Sequence, residues 1–530
     1  MVVSKTSTKR FLERPRFNSD AAKKLPDKEL DRKLVRLGAR FEVTPWRHQK
    51  ICFLLGRKRG SYLFLVDMGG GKTKLSLDLY RYFRGEGAEG LLVVVPGTTH
   101  AEQWQDQVAI HIPECHKKTE AITHTLRQDR EDAFRRGEIV CVTYQGLLSL
   151  VAEANPNKKK SKRANSWRIS AKRMRALCSR FSMVVFDESS YLRRKTSLYY
   201  RLANELAKTA GHIFGLTGTP FDKDPQDLWA QFHLVDGGYS LGESLGLFRS
   251  AFCTKAQHLW HKGFEYTFDE RKQKKLHRFI KHCSIYFPRE EFLDVPPIVG
   301  GIDSPNGFMR VPVTFSTELW RYQEQVVKEL VEAGSNKKLL KSAYHRLRSL
   351  ASGWLATKVD EERVEIDFDS NPKLDALVEQ LETAEGCSIL VYHHYQHTGK
   401  LIADRLKPIY GNGVRQLHGK SQGKNKVVRD FKAGKYPILV CSRSVVFGLD
   451  LQVANYIFVF ESPDSCIDRK QLERRIVRPG QLKHTFIYDV TVKGSIDERI
   501  LASLKAGKDL FDGLVEGKGA HVRLAKLLAG

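Results

Sequence analysis

No apolar run in this chain of 530 residues approaches the roughly 20 that a bilayer crossing demands. A membrane-spanning helix is therefore not expected. The first residues are basic and polar without an apolar core, which argues against a secretory leader. None of the nine cysteines forms a C-x-x-C pair, which excludes the zinc modules built on that spacing. Several thiols lie inside apolar runs, such as Cys141 between Val140 and Val142, and Cys441 after Leu439 and Val440. They read as reduced core residues in a cytoplasmic compartment: nucleoid-associated, in the host cytoplasm for a viral protein, nuclear only in a eukaryote. Acidic side chains are scarce as well, since 61 Asp and Glu against 88 Lys and Arg leave a formal charge of +27. That excess points to a polyanionic partner, nucleic acid before an anionic membrane. A well-solvated basic surface is the competing explanation.

Hydrophobic residues make up 41% of the chain, enough for a large buried core, and the length suggests about three or four domains. Residues 1–40 read as a basic N-terminal arm. From 41 to 236, apolar runs alternate with amphipathic stretches. The runs are Tyr62–Val66, Leu91–Val95, 140–143, 183–186 and 213–216. Such alternation predicts a parallel sheet wrapped by helices, with ligands at the carboxyl ends of the strands. A lysine-rich insertion, 155–175, interrupts this block, and its Lys158, Lys159 and Lys160 are candidate phosphate contacts. Residues 237–370 read as a linker and helical insertion, with helices near 269–283, 317–333 and 336–357. A second alternating block spans 371–500, with strands at 388–392, Val414–Leu417, 438–440, 456–460 and 485–490. Residues 501–530 read as a helical tail.

The chemistry gathers at strand ends. Tyr62–Val66 runs into Asp67-Met68-Gly69-Gly70-Gly71-Lys72-Thr73 and then a helix-compatible stretch. Small residues let backbone N–H groups curl around phosphate oxygens at a helix N-terminus. Lys72 would reach the β- and γ-phosphates and Thr73 would ligate Mg²⁺. The strict G-x-x-x-x-G-K-[ST] pattern is not met, because Val66 stands at the first Gly position. The run 183–186 ends in Asp187-Glu188, a pair suited to holding Mg²⁺ and polarising an attacking water. Leu216-Thr217-Gly218-Thr219 ends another run with two hydroxyls. In the second block, Arg475 and Arg478 would share a helix face and could act on a triphosphate as arginine fingers. A solvated basic helix is the plainer alternative.

As an ordered set, these residues resemble a superfamily 2 helicase core and, more narrowly, the Swi/Snf-type DNA translocases. The set is Gln49, the Gly69–Thr73 turn, Asp187-Glu188, Thr217-Gly218-Thr219, Gly448-Leu449-Asp450, and Gln471 through Arg475, Arg478, Gly480 and Gln481. Loops of that family also lack the first glycine. The resemblance implies an α/β fold of two RecA-like parallel-sheet lobes, 41–236 and 371–500, with a helical insertion between them. It implies ATP as the nucleotide, with Mg²⁺. Gln49 would read adenine, and Gly69, Gly70, Gly71, Gly448 and Asp450 would line or couple the ATP site. Pro96, Thr143, Tyr144, Ser442 and Arg443 would face nucleic acid. Lys72, Glu188, Gln471, Arg475 and Arg478 would carry hydrolysis. The sequence departs from the family pattern at Ser190, where His is usual, at Asp450, which replaces an amide, and at Arg474, which replaces Gly. The resulting expectation is a monomeric, nucleic-acid-stimulated ATPase that tracks duplex or branched DNA rather than RNA. A strand-separating helicase and a nucleic-acid scaffold with an inactive ATPase core are the alternatives.

Overall fold

The computed structural model describes residues 5–507 except 125, 155–166, 219, 221–223, 258–263, 293–297, 303, 305, 333–335, 360–361, 385, 420, 422, 444–450, 477–480 and 482, together with residue 522. The chain forms two compact units, Met1–Leu293 and Asp294–Gly530.

The first unit is built on seven strands: β1 Tyr62–Val66, β2 Leu91–Val95, β3 Thr119–Ile122, β4 Ile139–Thr143, β5 Met183–Asp187, β6 His212–Thr217 and β7 Ser284–Phe287. Their order is β7-β1-β6-β5-β2-β4-β3, and every pairing is parallel. The sequences of β1 and β2, YLFLV and LLVVV, explain their interior positions. Both strands are buried at every residue, as strands covered on both faces must be. Helices supply that cover, among them Arg47–Arg59, Lys72–Gly85, Thr98–His111 and Asp227–Asp236.

The N-terminal stretch is not a free arm. Helices Lys5–Glu13 and Asp27–Arg36 place Phe11, Leu30 and Leu34 in the first unit's core. The Arg16 guanidinium lies 3.4 Å from the Phe279 ring centre and donates to the carbonyls of Arg14 and Phe11. Apolar anchors spaced through a basic stretch thus tie it down.

The second unit carries β8 Ile298–Val299, β9 Met309–Val313, β10 Ile389–His393, β11 Val414–Leu417, β12 Ile438–Ser442, β13 Tyr456–Val459 and β14 Thr485–Val492. Here the order is β8-β14-β13-β10-β12-β11, with β9 also on β14, again parallel throughout. The stretch 237–370 therefore divides instead of forming one insertion. Its first part supplies β7 to the first sheet, and its second part supplies β8 and β9 to the second. Of its expected helices, Gln273–Ile280, Thr317–Glu332 and Lys337–Ala351 form. The chain after Lys337–Ala351 turns into a hairpin, Trp354–Val359 with Glu362–Asp367.

Glu461 fastens that segment to the second sheet. Its carboxylate accepts from Ser352 Oγ at 2.5 Å, Thr398 Oγ1 at 2.6 Å, and the backbone N–H groups of His394 at 2.7 Å and Tyr395 at 2.9 Å. Burial works to raise its pKa, but these donors hold it below the usual carboxylate range. Nearby, Lys373 and Asp497 form a buried ion pair of 2.6 Å.

Helix Lys72–Gly85 buries a second such pair, Lys74 with Asp78 at 2.5 Å. Burial outweighs Lys74 and lifts the Asp78 pKa to about 6. The folded protein then keeps a proton that the unfolded chain releases near pH 4. This stabilisation is complete below the unfolded pKa and disappears as pH rises through 6. Asp78→Asn should flatten that part of the profile. Denaturant unfolding at pH 4 and pH 7 should show wild type losing about 2 kcal/mol relative to the variant. Parallel profiles would contradict the assignment.

Candidate nucleotide site

The turn between β1 and helix Lys72–Gly85 is held through its carbonyl oxygens. His48 Nε2 donates to Gly70 O at 2.7 Å, and Gln49 Nε2 donates to the same oxygen at 3.1 Å. Both belong to helix Arg47–Arg59, and Gln49 Oε1 accepts from Trp46 N at 3.0 Å, capping that helix. Burial lowers the His48 pKa, so the ring is neutral and carries its proton on Nε2. The ring of Phe292 packs against it, with centres 4.4 Å apart. Lys72 Nζ folds back to Val66 O at 2.9 Å. Gly71 has φ +70, and a Cβ there would meet Gln49 Nε2 at 2.2 Å. A Cβ on Gly70 would meet Val66 Cγ1 at 2.4 Å. The expected residues Gln49, Gly69, Gly70, Gly71, Lys72 and Thr73 thus form one turn and its brace. The Gln49 amide is engaged by protein groups at both ends.

The acidic pair lies at the carboxyl end of β5. Asp187 Oδ2 accepts from Trp104 Nε1 at 2.9 Å, and its Oδ1 accepts from Glu188 N at 3.0 Å. Glu188 has φ +49, the one positive φ of a non-glycine residue among the described residues. An L-residue there costs about 1–2 kcal/mol. The turn carries the Glu188 carboxylate to Thr217 Oγ1, 3.3 Å away at the end of β6. Ser189 Oγ donates to Gln231 Oε1 at 2.9 Å, which anchors the turn from helix Asp227–Asp236. Ser190, where the family pattern has His, is half-buried in the same turn.

Two residues expected on nucleic acid, Thr143 and Tyr144, lie where β4 runs into helix Tyr144–Val151. Tyr144 is 1% exposed, and its hydroxyl donates to Asp187 O at 3.0 Å. Its ring stacks on Tyr191 with centres 5.4 Å apart. Its phenol is engaged by the acid strand. Thr143 Oγ1 accepts from Gly146 N at 2.9 Å and caps helix Tyr144–Val151. Pro96 follows β2 directly and leads into helix Thr98–His111, which carries Trp104. The roles of Trp104 and Tyr144 escaped the sequence reading because a hydrogen bond across 83 or 43 residues leaves no local pattern.

In the second unit, Gln471 lies in helix Cys466–Glu473, which ends before Arg475. Arg475 sits in the turn that follows, largely buried, and its carbonyl accepts from Leu451 N at 3.3 Å. The expected shared helix face of Arg475 and Arg478 is therefore not formed at Arg475, and Arg478 lies outside the described residues. So do Lys158, Lys159, Lys160, Thr219, Gly448 and Asp450. Gln481 Nε2 donates to the carbonyls of Gln452 and Ala454, both at 2.9 Å, closing the loop on itself. Ser442 ends β12, buried, and Arg443 beside it pairs with Asp468.

The Trp104 and Tyr144 bonds differ in kind, and this difference can be measured. Trp104→Phe removes a donor to a carboxylate and should lower unfolding free energy by about 2 kcal/mol. Tyr144→Phe removes a donor to a neutral carbonyl and should cost about 1 kcal/mol. Denaturant titration of both variants checks the order, and equal losses would contradict it.

Comparison with known proteins agrees with this layout. A family profile described as the SNF2-related domain matches residues 46–299. The helicase conserved C-terminal domain matches residues 372–480. YwqA of Bacillus subtilis, an ATP-dependent helicase/translocase by name, is 22% identical over 470 residues, covering 85% of this chain and 46% of YwqA. Protein p41 of Acyrthosiphon pisum secondary endosymbiont phage 1 is 22% identical over 507 residues, covering 90% of this chain and 98% of p41. The chain thus spans less than half of YwqA and nearly all of p41. The Sulfolobus solfataricus SWI2/SNF2 ATPase core in complex with dsDNA is 19% identical, with coverage of 92% and 97% and a TM-score of 0.39. With both family domains matched in order, and the phosphate turn and acidic strand end inside the first, the chain carries the two domains of the Swi/Snf-type branch of superfamily 2.

Proposed function

We propose that this protein is a Mg²⁺- and ATP-driven translocase on double-stranded or branched DNA that remodels the DNA or proteins bound to it. The observation that carries this reading is the shared edge of one parallel sheet. Lys72 and Thr73 follow β1, Thr217 ends β6, and Asp187-Glu188 end β5, on three adjacent strands. In this reading the turn 69–73 wraps the phosphates, and Lys72 exchanges its bond to Val66 O for phosphate oxygens. Glu188, already turned toward Thr217, orients the attacking water and takes its proton. Arg475 and Arg478, carried by the second unit, are proposed to act on the transferred phosphate in the nucleotide-bound state.

The donor set fits Mg²⁺. It is a hard cation that prefers oxygen, and the protein offers it the Thr73 hydroxyl and the Asp187 carboxylate. Each Asp187 oxygen accepts one N–H bond and keeps further acceptor capacity. When bound, the cation would neutralise charge on the β- and γ-phosphates.

The formal charge of +27 supports a grip on phosphates, which gives steep salt dependence and slight sequence preference. Duplex tracking is favoured over strand separation by the family resemblance.

ATP turnover should be measured with no polymer, single-stranded DNA, duplex DNA, branched DNA and RNA. Duplex or branched DNA should stimulate it without strand displacement. Glu188→Gln should lower turnover by at least about 100-fold while ATP still binds. Stimulation by RNA alone would remove the DNA assignment. Absence of turnover with every polymer would leave the scaffold reading.

A further inference from the structure

Outside the nucleotide site, the first unit has a concavity of about 550 Å³ between the N-terminal segment and helix Arg47–Arg59. Its floor is apolar: Phe17, Leu25 and Leu30 on one wall, Ile51, Leu54 and Leu55 on the other. Its rim is cationic, formed by Lys33, Arg36, Arg57 and Lys58, and no acidic residue lines it. A cavity of this size accommodates two or three large apolar side chains.

The rim charges are arranged by the fold. Lys58 Nζ lies 4.9 Å from the Phe17 ring centre, which draws that cation over the apolar floor. Arg57 Nε donates to Tyr82 Oη at 3.2 Å, which fixes its plane. Arg36 stands exposed in the last turn of helix Asp27–Arg36. Lys33 pairs with Glu29 on its own helix. Cations thus come from both walls around a floor with no polar side chain of its own.

Nucleic acid fits this surface poorly. Phosphates would satisfy the rim, but a charged backbone would leave the Leu25, Leu54 and Leu55 floor uncovered. We propose that the concavity is a docking site for an acidic peptide segment of a partner protein, with apolar side chains set between carboxylates. Leu, Ile or Phe anchors fill the floor, and the flanking carboxylates meet the four rim cations. Anchors buried in a pocket and ringed by complementary charge are how short segments acquire both affinity and selectivity. The site is independent of ATP and DNA chemistry, so its test does not rest on the proposed function.

The probe is a panel of fluorescein-labelled nonapeptides. Each carries two apolar anchors at spacings of two, three or four in an Asp/Glu background. Fluorescence anisotropy with the full chain reads binding in the absence of nucleotide and DNA. At least one spacing should bind saturably, and an all-Asp/Glu peptide without anchors should bind about tenfold more weakly. The double substitution Arg36→Glu, Lys58→Glu should weaken binding at least about tenfold by reversing the rim charge. Leu54→Glu, at a half-buried position, should do the same through the floor. Circular dichroism and ATP turnover confirm that each variant is folded. Failure of the whole panel overturns the proposal. So does equal binding of the anchorless peptide, or binding that ignores Leu54→Glu. Competition by short duplex DNA that depends on the rim but not on Leu54 would reassign the surface to nucleic acid.

Discussion

A loop that grips phosphate through backbone N–H groups must be positioned through its other backbone atoms. The turn after β1 meets this constraint with carbonyl contacts. His48 and Gln49 both bind Gly70 O, and Lys72 binds Val66 O. The brace asks for a proton on His48 Nε2, and for glycine at 71, where any Cβ would strike the Gln49 amide. The acidic strand end follows the same logic. Asp187 is held by Trp104 at its carboxylate and by Tyr144 at its carbonyl, each from a different helix of the first unit. A parallel sheet makes these separate braces useful, because it delivers every strand's carboxyl end to one edge.

The second unit relies more on buried polar groups. Glu461 and Arg469 are both nearly inaccessible. Arg469 binds Glu473 at 2.6 Å and Asp489 at 2.8 Å, and also Ser462 Oγ at 3.0 Å. Glu473 in turn accepts the backbone N–H of Ile302 at 2.9 Å. Buried charges are tolerable only when so fully satisfied, and losing one partner costs far more than the pair contributes. Here the network joins the loop after β8 to helix Cys466–Glu473 and β14. It therefore fixes the turn that carries Arg475.

The local chemistry was legible in the sequence. Glycines, Lys72, Thr73, Asp187 and Glu188 announce themselves because each follows an apolar run that can only be a buried strand. The strands TEAI, SIYF and MRVPV were not legible. They are short, mix polar with apolar residues or contain proline, and sit near sheet edges, where burial imposes little pattern. Nor could periodicity show that 237–370 divides between two sheets, since β7 pairs with a strand more than 200 residues earlier. The shared helix face of Arg475 and Arg478 failed for a local reason. The helix ends at Glu473, and the chain is then held by bonds from Gln481 and Leu451 that no spacing rule contains.

The topology also bears on how the protein is made. Strand β1 sits between β6 and β7, and both of its neighbours come much later in the chain. During synthesis, YLFLV leaves the ribosome with no strand to pair with until His212–Thr217 follows. At cellular elongation rates that interval is on the order of ten seconds. For that time a strand that is buried at every residue in the folded unit is an unpaired edge attached to an unformed turn. Nascent chains of this protein thus expose to chaperones the very segment on which the candidate nucleotide site is later built.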